Sequence, residues 1–155
     1  MAHVELSLTE SFVPQQAGPD PAPAGPDASD ELARWAAAVA SANEPCLVID
    51  NEAMIVAASR SCHELLALGE AGTAVGRFLL DGVLRLVDFT AARELLTEVE
   101  MDKIPPLLAL SSGRLARGLM RVYDGSEFDA TVDAIAAPLC NGSTVVGSLT
   151  FLSAI

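Results

Sequence analysis

The residues best suited to covalent or acid–base chemistry are three cysteines, Cys46, Cys62 and Cys140, and two histidines, His3 and His63. Cys62 and His63 are neighbours, but successive side chains on a helix point about 100° apart, so the pair does not form a nucleophile and its base. The three thiols lack the paired spacing of a metal site and the even number of a disulfide framework. Cys46 and Cys62 are typical of small buried residues, and Cys140 is the best exposed candidate for a redox thiol. Because no phosphate-binding glycine loop or catalytic motif accompanies them, the sequence predicts a protein that is not an enzyme.

Alternating charges near the end of the chain are a second candidate for chemistry. The stretches "LARGLMRVY" and "EFDATVDAIAA" both alternate between apolar and polar residues, as the two strands of a hairpin do. A three-residue loop over 124–126 sets Arg121 opposite Asp129 and brings Arg117 to Asp133. Charges on the exposed face of a hairpin are usually solvated ion pairs that contribute about 0 to 1 kcal/mol each. The sequence therefore predicts a structural ladder here rather than a catalytic site.

Length and charge limit the classes of function. With 155 residues, 51% of them hydrophobic, the chain is long enough for one well-buried core. The formal net charge of −12 argues against nucleic acid and against anionic membrane surfaces, since both are bound by clustered cations. No stretch approaches the ~20 consecutive apolar residues of a membrane span, and "MAHVELSLTESFV" lacks the order of a secretory signal. We expect a cytoplasmic protein with reduced thiols.

The first 28 residues differ from the rest in composition. Five prolines within "VPQQAGPDPAPAGPDA" oppose helix and sheet, and no Lys or Arg occurs before residue 31. We interpret residues 1–28 as a disordered acidic, Pro-rich tail and residues 29–155 as the folded domain. The alternating "VELSLTESFV" leaves two readings open, a solvated leader or a segment that a partner folds as an added strand or short helix.

An amphipathic helix is predicted to follow the tail. Leu32, Trp35 and Val39 recur at helical spacing, behind Ser29 or Asp30 as the N-cap. Two interpretations stay open for this stripe, and both can hold together. It packs on its own domain, or it forms the interface of a homodimer.

The remaining elements follow in a definite order. "CLVIDNEAMIV" predicts a hairpin with an acidic turn, and "SRSCHELLALG" predicts a helix closed by Gly69. Short helical segments come next, including "TAARELLTEVE" and a helix that begins at Pro105 and ends at Gly113. The alternating pair described above and "STVVGSLTFLS" supply three closing strands.

This order of elements resembles a PAS domain over residues 30 to 153. "LVIDNEAMIVAASRSCHELLAL" looks like the opening hairpin and helix of the family, "VGRFLLD" like its mid-domain helical segment, and "MRVYDGSEFDATVDAIAAPL" with "STVVGSLTFLS" like its closing strands. The resemblance implies an α+β fold with a five-stranded antiparallel sheet in the order 2-1-5-4-3. Short helices would pack on one face of that sheet, with a ligand pocket between them.

Two departures from the family bear on cofactors. The flavin photosensor subgroup uses a reactive cysteine in a motif that "GRFLLDG" resembles only superficially, and no cysteine lies there. Family members that bind haem commonly use a histidine on a helix before the third strand, whereas His63 lies early and His3 lies in the tail. The sequence therefore disfavours both flavin and haem and identifies no other cofactor or metal.

The resemblance implies two functions from different classes. The first is a stand-alone signalling module that senses a small apolar ligand and acts through a separate regulatory protein. The second is a ligand-free interaction module that dimerises in transcriptional or signalling regulation; a third, an enzyme on a related fold, would need a polar cluster that the sequence does not show. Candidate pocket residues are Leu65, Leu66, Leu107, Leu110, Met120, Phe128, Val132 and Leu149.

Overall fold

The computed structural model describes residues 27–70, 72–81 and 83–155. The predicted tail lies almost wholly outside these residues, so its disorder stays a prediction. The described elements, in chain order, are α1 (Ala28–Ala40), β1 (Cys46–Asp50), β2 (Ile55–Ala58), α2 (Arg60–Leu65), β3 (Leu86–Val87), α3 (Glu98–Met101), α4 (Pro105–Ser112), β4 (Ala116–Val122), β5 (Ala130–Asn141) and β6 (Thr144–Ala154). None of these helices is long and apolar enough to span a bilayer.

The strands form one antiparallel sheet in the order β2-β1-β6-β5-β4-β3. The α+β class and the order of five strands agree with the prediction, but the number of strands was wrong. The sixth, β3, has two residues and pairs with the end of β4, where Leu86 lies opposite Val122. A run this short carries no recognisable period in the sequence, which explains why it was missed.

The sheet separates two apolar layers. Its inner face packs against α2, α4 and the segments between them, in a core that includes Leu47, Ile49, Leu66, Leu79, Leu84, Met120, Val122, Val132 and Leu152. Its outer face is covered in part by α1, which packs over Cys46, Val48, Leu139, Val146 and Leu149. Strands near the middle of the sheet are therefore apolar on both faces, as the continuous apolar runs of the sequence predict.

The β4–β5 hairpin has a different register from the predicted one. Arg121 lies opposite Thr131 rather than Asp129, and β5 begins only at Ala130. The shift is two residues, so every side chain keeps its predicted face and the connecting loop lengthens. Arg117 still reaches Asp133, because a long side chain spans the diagonal between neighbouring strands.

Two predicted helices are shorter than expected. The first, α2, ends at Leu65 and is capped by Leu66 rather than Gly69. Residues 92–96 are not helical: Arg93 has a φ of 55°, and Leu95 forms a bridge with Val87. Helix α3 starts only after Thr97, which forms a capping box with Glu100. By contrast, the predicted start of α4 at Pro105 and its end at Gly113 are confirmed.

Both edge strands of the sheet are partly covered. Ile55 on β2 exchanges backbone hydrogen bonds with Gly76 and Arg77. On the opposite edge, the bridge from Val87 to Leu95 covers β3. These contacts occupy groups with which another chain would otherwise pair. With the inner face packed against helices and both edges partly covered, the outer face is the main exposed surface of the sheet.

Candidate functional site

Six of the eight predicted pocket residues meet on the inner face of the sheet. Leu66, Met120 and Val132 are buried in the inner core, and Leu65, Leu107 and Leu110 are partly buried against it. These six side chains belong to the layer between the sheet and the helices. A groove of about 390 Å³, lined by Leu80, Leu96, Glu98, Met101 and Asp102, opens beside it.

Phe128 and Leu149 are not on the inner face. Phe128 lies in the lengthened loop before β5 and is 81% exposed, because the register shift moves it out of the strand. Leu149 lies on the outer face beneath α1. The inner side chains of β6 are Ser148, Thr150 and Leu152 rather than Leu149. Val146 lies with Leu149 in the outer layer, because the β5–β6 pairing is irregular at Leu139 and Cys140.

Two hydroxyl groups of β6 are buried on the inner side. Ser148 donates a hydrogen bond from Oγ to the carbonyl oxygen of Pro106 on α4, at 3.0 Å. Thr150 is 1% exposed, and its Oγ1 has no hydrogen-bond partner among the described residues. A buried hydroxyl without a partner is costly and requires an explanation.

Cys62 and His63 are buried side chains whose chemistry could serve a bound cofactor. Cys62 has no accessible surface, and burial raises the pKa of its thiol to about 12, so the thiolate is not available. His63 is buried but lines a groove between α1 and β2, together with Ala36, Ala40 and Val56. Neither residue combines a free reactive group with an inner cavity.

The outer face exposes apolar side chains that α1 does not cover. Leu119 is 53% exposed, Ile135 37% and Phe151 50%, and Ile135 is paired with Phe151 across β5 and β6. We call these three residues the outer-face patch. The Arg117–Asp133 ion pair lies on the same face, since these residues alternate with the buried ones. The patch therefore combines an apolar centre with a charged neighbour.

The apolar stripe of α1 is buried against the sheet at some positions and exposed at others. Val39 is 3% exposed and Leu32 packs in the outer layer, so both residues bind the helix to its own sheet. Trp35 is 36% exposed, and its Nε1 donates to Glu31. Because Ala36 faces the β2 side, Trp35 lies about 100° away, on the flank towards β6 and β5. The exposed indole is thus next to the half of the sheet that carries the outer-face patch.

The Arg and Asp ladder is not wholly solvated, contrary to the prediction. Asp129 has no accessible side-chain surface and accepts two hydrogen bonds of 2.6 Å from Arg93. Arg121 approaches the same carboxylate at 3.1 Å. Sequence reasoning missed Arg93, because it is 36 residues from Asp129 and its segment was wrongly predicted to be helical. Only its positive φ, unusual outside glycine, marks the segment, and that is not visible in the sequence.

Comparison with known proteins tests this architecture. No family model matches the sequence, and no curated protein matches it. The PAS domain of a Colwellia psychrerythraea protein matches the structure with a TM-score of 0.55 and 15% identity, over 81% of this chain and 98% of that one.

This chain has the PAS fold.

Two other PAS-like structures match the chain over a similar share of its length. The Rhodobacter sphaeroides LOV protein has a TM-score of 0.56 and 16% identity, over 82% of this chain and 68% of that one. Vibrio cholerae VqmA has a TM-score of 0.54 and 15% identity, over 79% of this chain and 51% of that one. The PAS-fold chain thus spans about half the length of VqmA, which is described as a DNA-binding dimer and has been solved with DPO bound.

Proposed function

We propose that this PAS-fold chain is a cytoplasmic regulatory module that forms a homodimer through the outer face of its sheet and acts through a separate partner protein. One observation supports this most directly. The inner face packs against the chain's own helices and connecting segments, whereas Leu119, Ile135 and Phe151 are exposed on the outer face. The proposed role includes no catalytic step.

The outer-face patch has the composition of an interface centre. Contiguous exposed apolar residues beside charged ones are typical of surfaces that bind proteins. In a homodimer related by a two-fold axis, the patch of one copy packs on that of the other, so a single surface is sufficient. Trp35 on the adjacent flank of α1 adds an aromatic side chain, the kind enriched at interface centres.

The solved structures support a regulatory role for this chain, but they do not identify what it regulates. VqmA is described as a dimer, which agrees with self-association, and as a DNA-binding receptor. For this chain we propose no nucleic-acid contact, since its net charge is −12 and phosphate binding needs clustered cations. A protein partner is the more suitable recipient of the signal.

The test is the oligomeric state of the wild type and two variants, measured by sedimentation velocity. We expect the wild type to be a dimer, and Ile135→Thr with Phe151→Thr to be a monomer with unchanged circular dichroism. Phe128→Thr is the matched control, because Phe128 is 81% exposed but lies in a loop away from the patch. A monomeric wild type, or a double variant that stays dimeric, would contradict the proposed interface.

Sensing of a small ligand is the second candidate function. The observation that favours it is Thr150, whose buried Oγ1 lacks a partner on the inner face. Native mass spectrometry of freshly purified protein separates the two candidates. Extra mass that is lost on denaturation, and lost in Thr150→Val, supports a ligand on the inner face. A dimer at the sequence mass supports the ligand-free module.

A further inference from the structure

Two arginines flank Tyr123 at the β3 edge of the sheet. The guanidinium carbon of Arg85 lies 5.4 Å from the centre of the Tyr123 ring, and that of Arg93 lies 6.0 Å from it. These distances are in the range of cation–π contacts. Arg93 is held in place by Asp129, and the Tyr123 backbone amide donates to the Arg85 carbonyl oxygen at 2.8 Å. The three side chains are therefore positioned by contacts that do not involve a ligand.

Two surface grooves meet at this arrangement, and Arg85 and Tyr123 line both. The larger, about 530 Å³, has an apolar wall formed by Val87, Ala92 and Leu95. The smaller, about 320 Å³, contains Arg77 and is more polar. The combined volume is in the range of sites that bind small molecules.

The cations here are unusual for so acidic a chain. Of its nine Lys and Arg residues, five have no carboxylate within ion-pair distance among the described residues, and two of these, Arg77 and Arg85, line the smaller groove. Among the described residues, the Arg77 guanidinium donates to the backbone carbonyl oxygen of Asp81. An arginine without a partner retains its full capacity to bind a carboxylate.

Two carboxylates also border the grooves and limit the charge of a ligand. Asp124 lines the smaller groove, where its Oδ1 accepts from the backbone N–H of Ser126 at 2.7 Å. Glu127 lines the larger groove. These two negative charges match those of Arg77 and Arg85, while Arg93 and Arg121 share the one carboxylate of Asp129. The formal balance of these groups is one positive charge, so a ligand with a single negative charge is favoured over one with several.

We propose that these grooves bind an amphipathic organic anion with one negative charge. Its anionic group, a carboxylate or sulfonate, would accept hydrogen bonds from Arg85 and Arg77, and its apolar part would cover Leu95, which is 62% exposed, and Ala92. This site lies at the β3 edge, separate from both the inner core and the outer-face patch. It is therefore independent of the proposed dimer.

The experiment is a titration of isotopically labelled full-length protein with 1-naphthoate, followed by amide NMR shifts. We expect the shifts to centre on Arg85, Tyr123 and Gly125, and the neutral 1-naphthamide to bind at least tenfold more weakly. Arg85→Gln is expected to weaken naphthoate roughly tenfold, the loss of one charge-assisted hydrogen bond. Arg114→Gln is the matched control, since Arg114 also lacks a carboxylate partner but lies in the α4–β4 connection.

Three results of this titration would contradict the proposed anion site. Equal binding of naphthoate and naphthamide, or equal effects of Arg85→Gln and Arg114→Gln, would overturn the anion site. Shifts centred on Ile135 and Phe151 would also overturn it and would indicate simple adsorption to the outer-face patch. Because the outer-face patch is measured separately by sedimentation, failure of the anion site leaves the dimer proposal unaffected.

Discussion

Asp129 shows how one side chain fixes a surface segment of the PAS fold. It accepts hydrogen bonds from Arg93 and an ion-pair contact from Arg121, and it has no accessible surface. Arg121 in turn donates to the carbonyl oxygens of Asp88 and Thr90. The segment after β3, which forms one wall of the anion grooves, is thereby held against β4 and β5.

The Asp129 carboxylate is predicted to stabilise the fold in a pH-dependent way. The hydrogen bonds from Arg93 hold its pKa below the ordinary value of 3.8. A carboxylate whose folded pKa is depressed stabilises the protein above its unfolded pKa, and this contribution is lost as the pH falls through the folded pKa. We expect Asp129→Asn to be less stable than the wild type at neutral pH, with the difference shrinking in acid. Urea unfolding across this pH range measures it.

Asp133→Asn provides the comparison for that experiment. Asp133 pairs with Arg117, whose side chain is 65% exposed, so this pair is more fully solvated. Exposed pairs contribute little, and we expect a smaller loss of stability at neutral pH. Equal losses of unfolding free energy in Asp133→Asn and Asp129→Asn would show that the burial of Asp129 does not make its ion pair more stabilising.

At the scale of elements, the contact of α1 with the sheet depends on Gly147. This residue of β6 lies opposite Asp50 on β1 and faces Leu32 of α1. A Cβ atom there would clash with the backbone carbonyl of Ile49 and would lie 2.9 Å from Leu32 Cδ2. The missing side chain is what allows the helix and the neighbouring strand to approach.

Gly147→Ala is therefore predicted to destabilise the domain by about 1 to 3 kcal/mol, the usual cost of overpacking a closed core. Gly118→Ala is the control, because a Cβ there would meet only Pro105 side-chain atoms, at 3.4 and 3.8 Å. Chemical denaturation of both variants gives the comparison. Equal stabilities of the two variants would show that α1 and β1 can move apart at no cost.

At the scale of the whole molecule, charge opposes self-association. The chain has a formal net charge of −12, so two copies repel each other, whereas the outer-face patch attracts them through apolar contact. Long-range repulsion between exposed charges is screened by salt, and apolar contact is not. The stability of the proposed dimer therefore depends on two opposing contributions. Charge repulsion weakens as the salt concentration rises, whereas the attraction between apolar side chains does not.

We predict that the dimer tightens as ionic strength rises from low to physiological. Sedimentation velocity at several protein and salt concentrations gives the dissociation constant. A dimer that weakens with salt would instead show that ion pairs such as Arg117–Asp133 hold the interface. Arg117→Gln distinguishes these cases, since it should leave an apolar interface nearly unchanged.

The sequence by itself determined what neighbouring residues control. Asp50 accepts hydrogen bonds from the amides of Glu52 and Met54, so the acidic turn between the first two strands is a local structure. The start of α4 at Pro105 and its end at Gly113 are likewise local, as is the alternation along β4 and β5. The order of these elements resembles the PAS family, which is how the fold was predicted, and six of the eight predicted pocket residues lie on the inner face.

Only the tertiary structure decided which distant groups meet. The β4–β5 register depends on the whole sheet, and a shift of two residues conserves every face, so the alternation cannot exclude it. The same alternation cannot tell which face of β6 lies beneath α1, which is why Leu149 was placed on the wrong side. Arg93 reaches Asp129 across 36 residues, and the grooves at Tyr123 exist only after that contact forms. Pairing at such distances is set by packing, which no local pattern encodes.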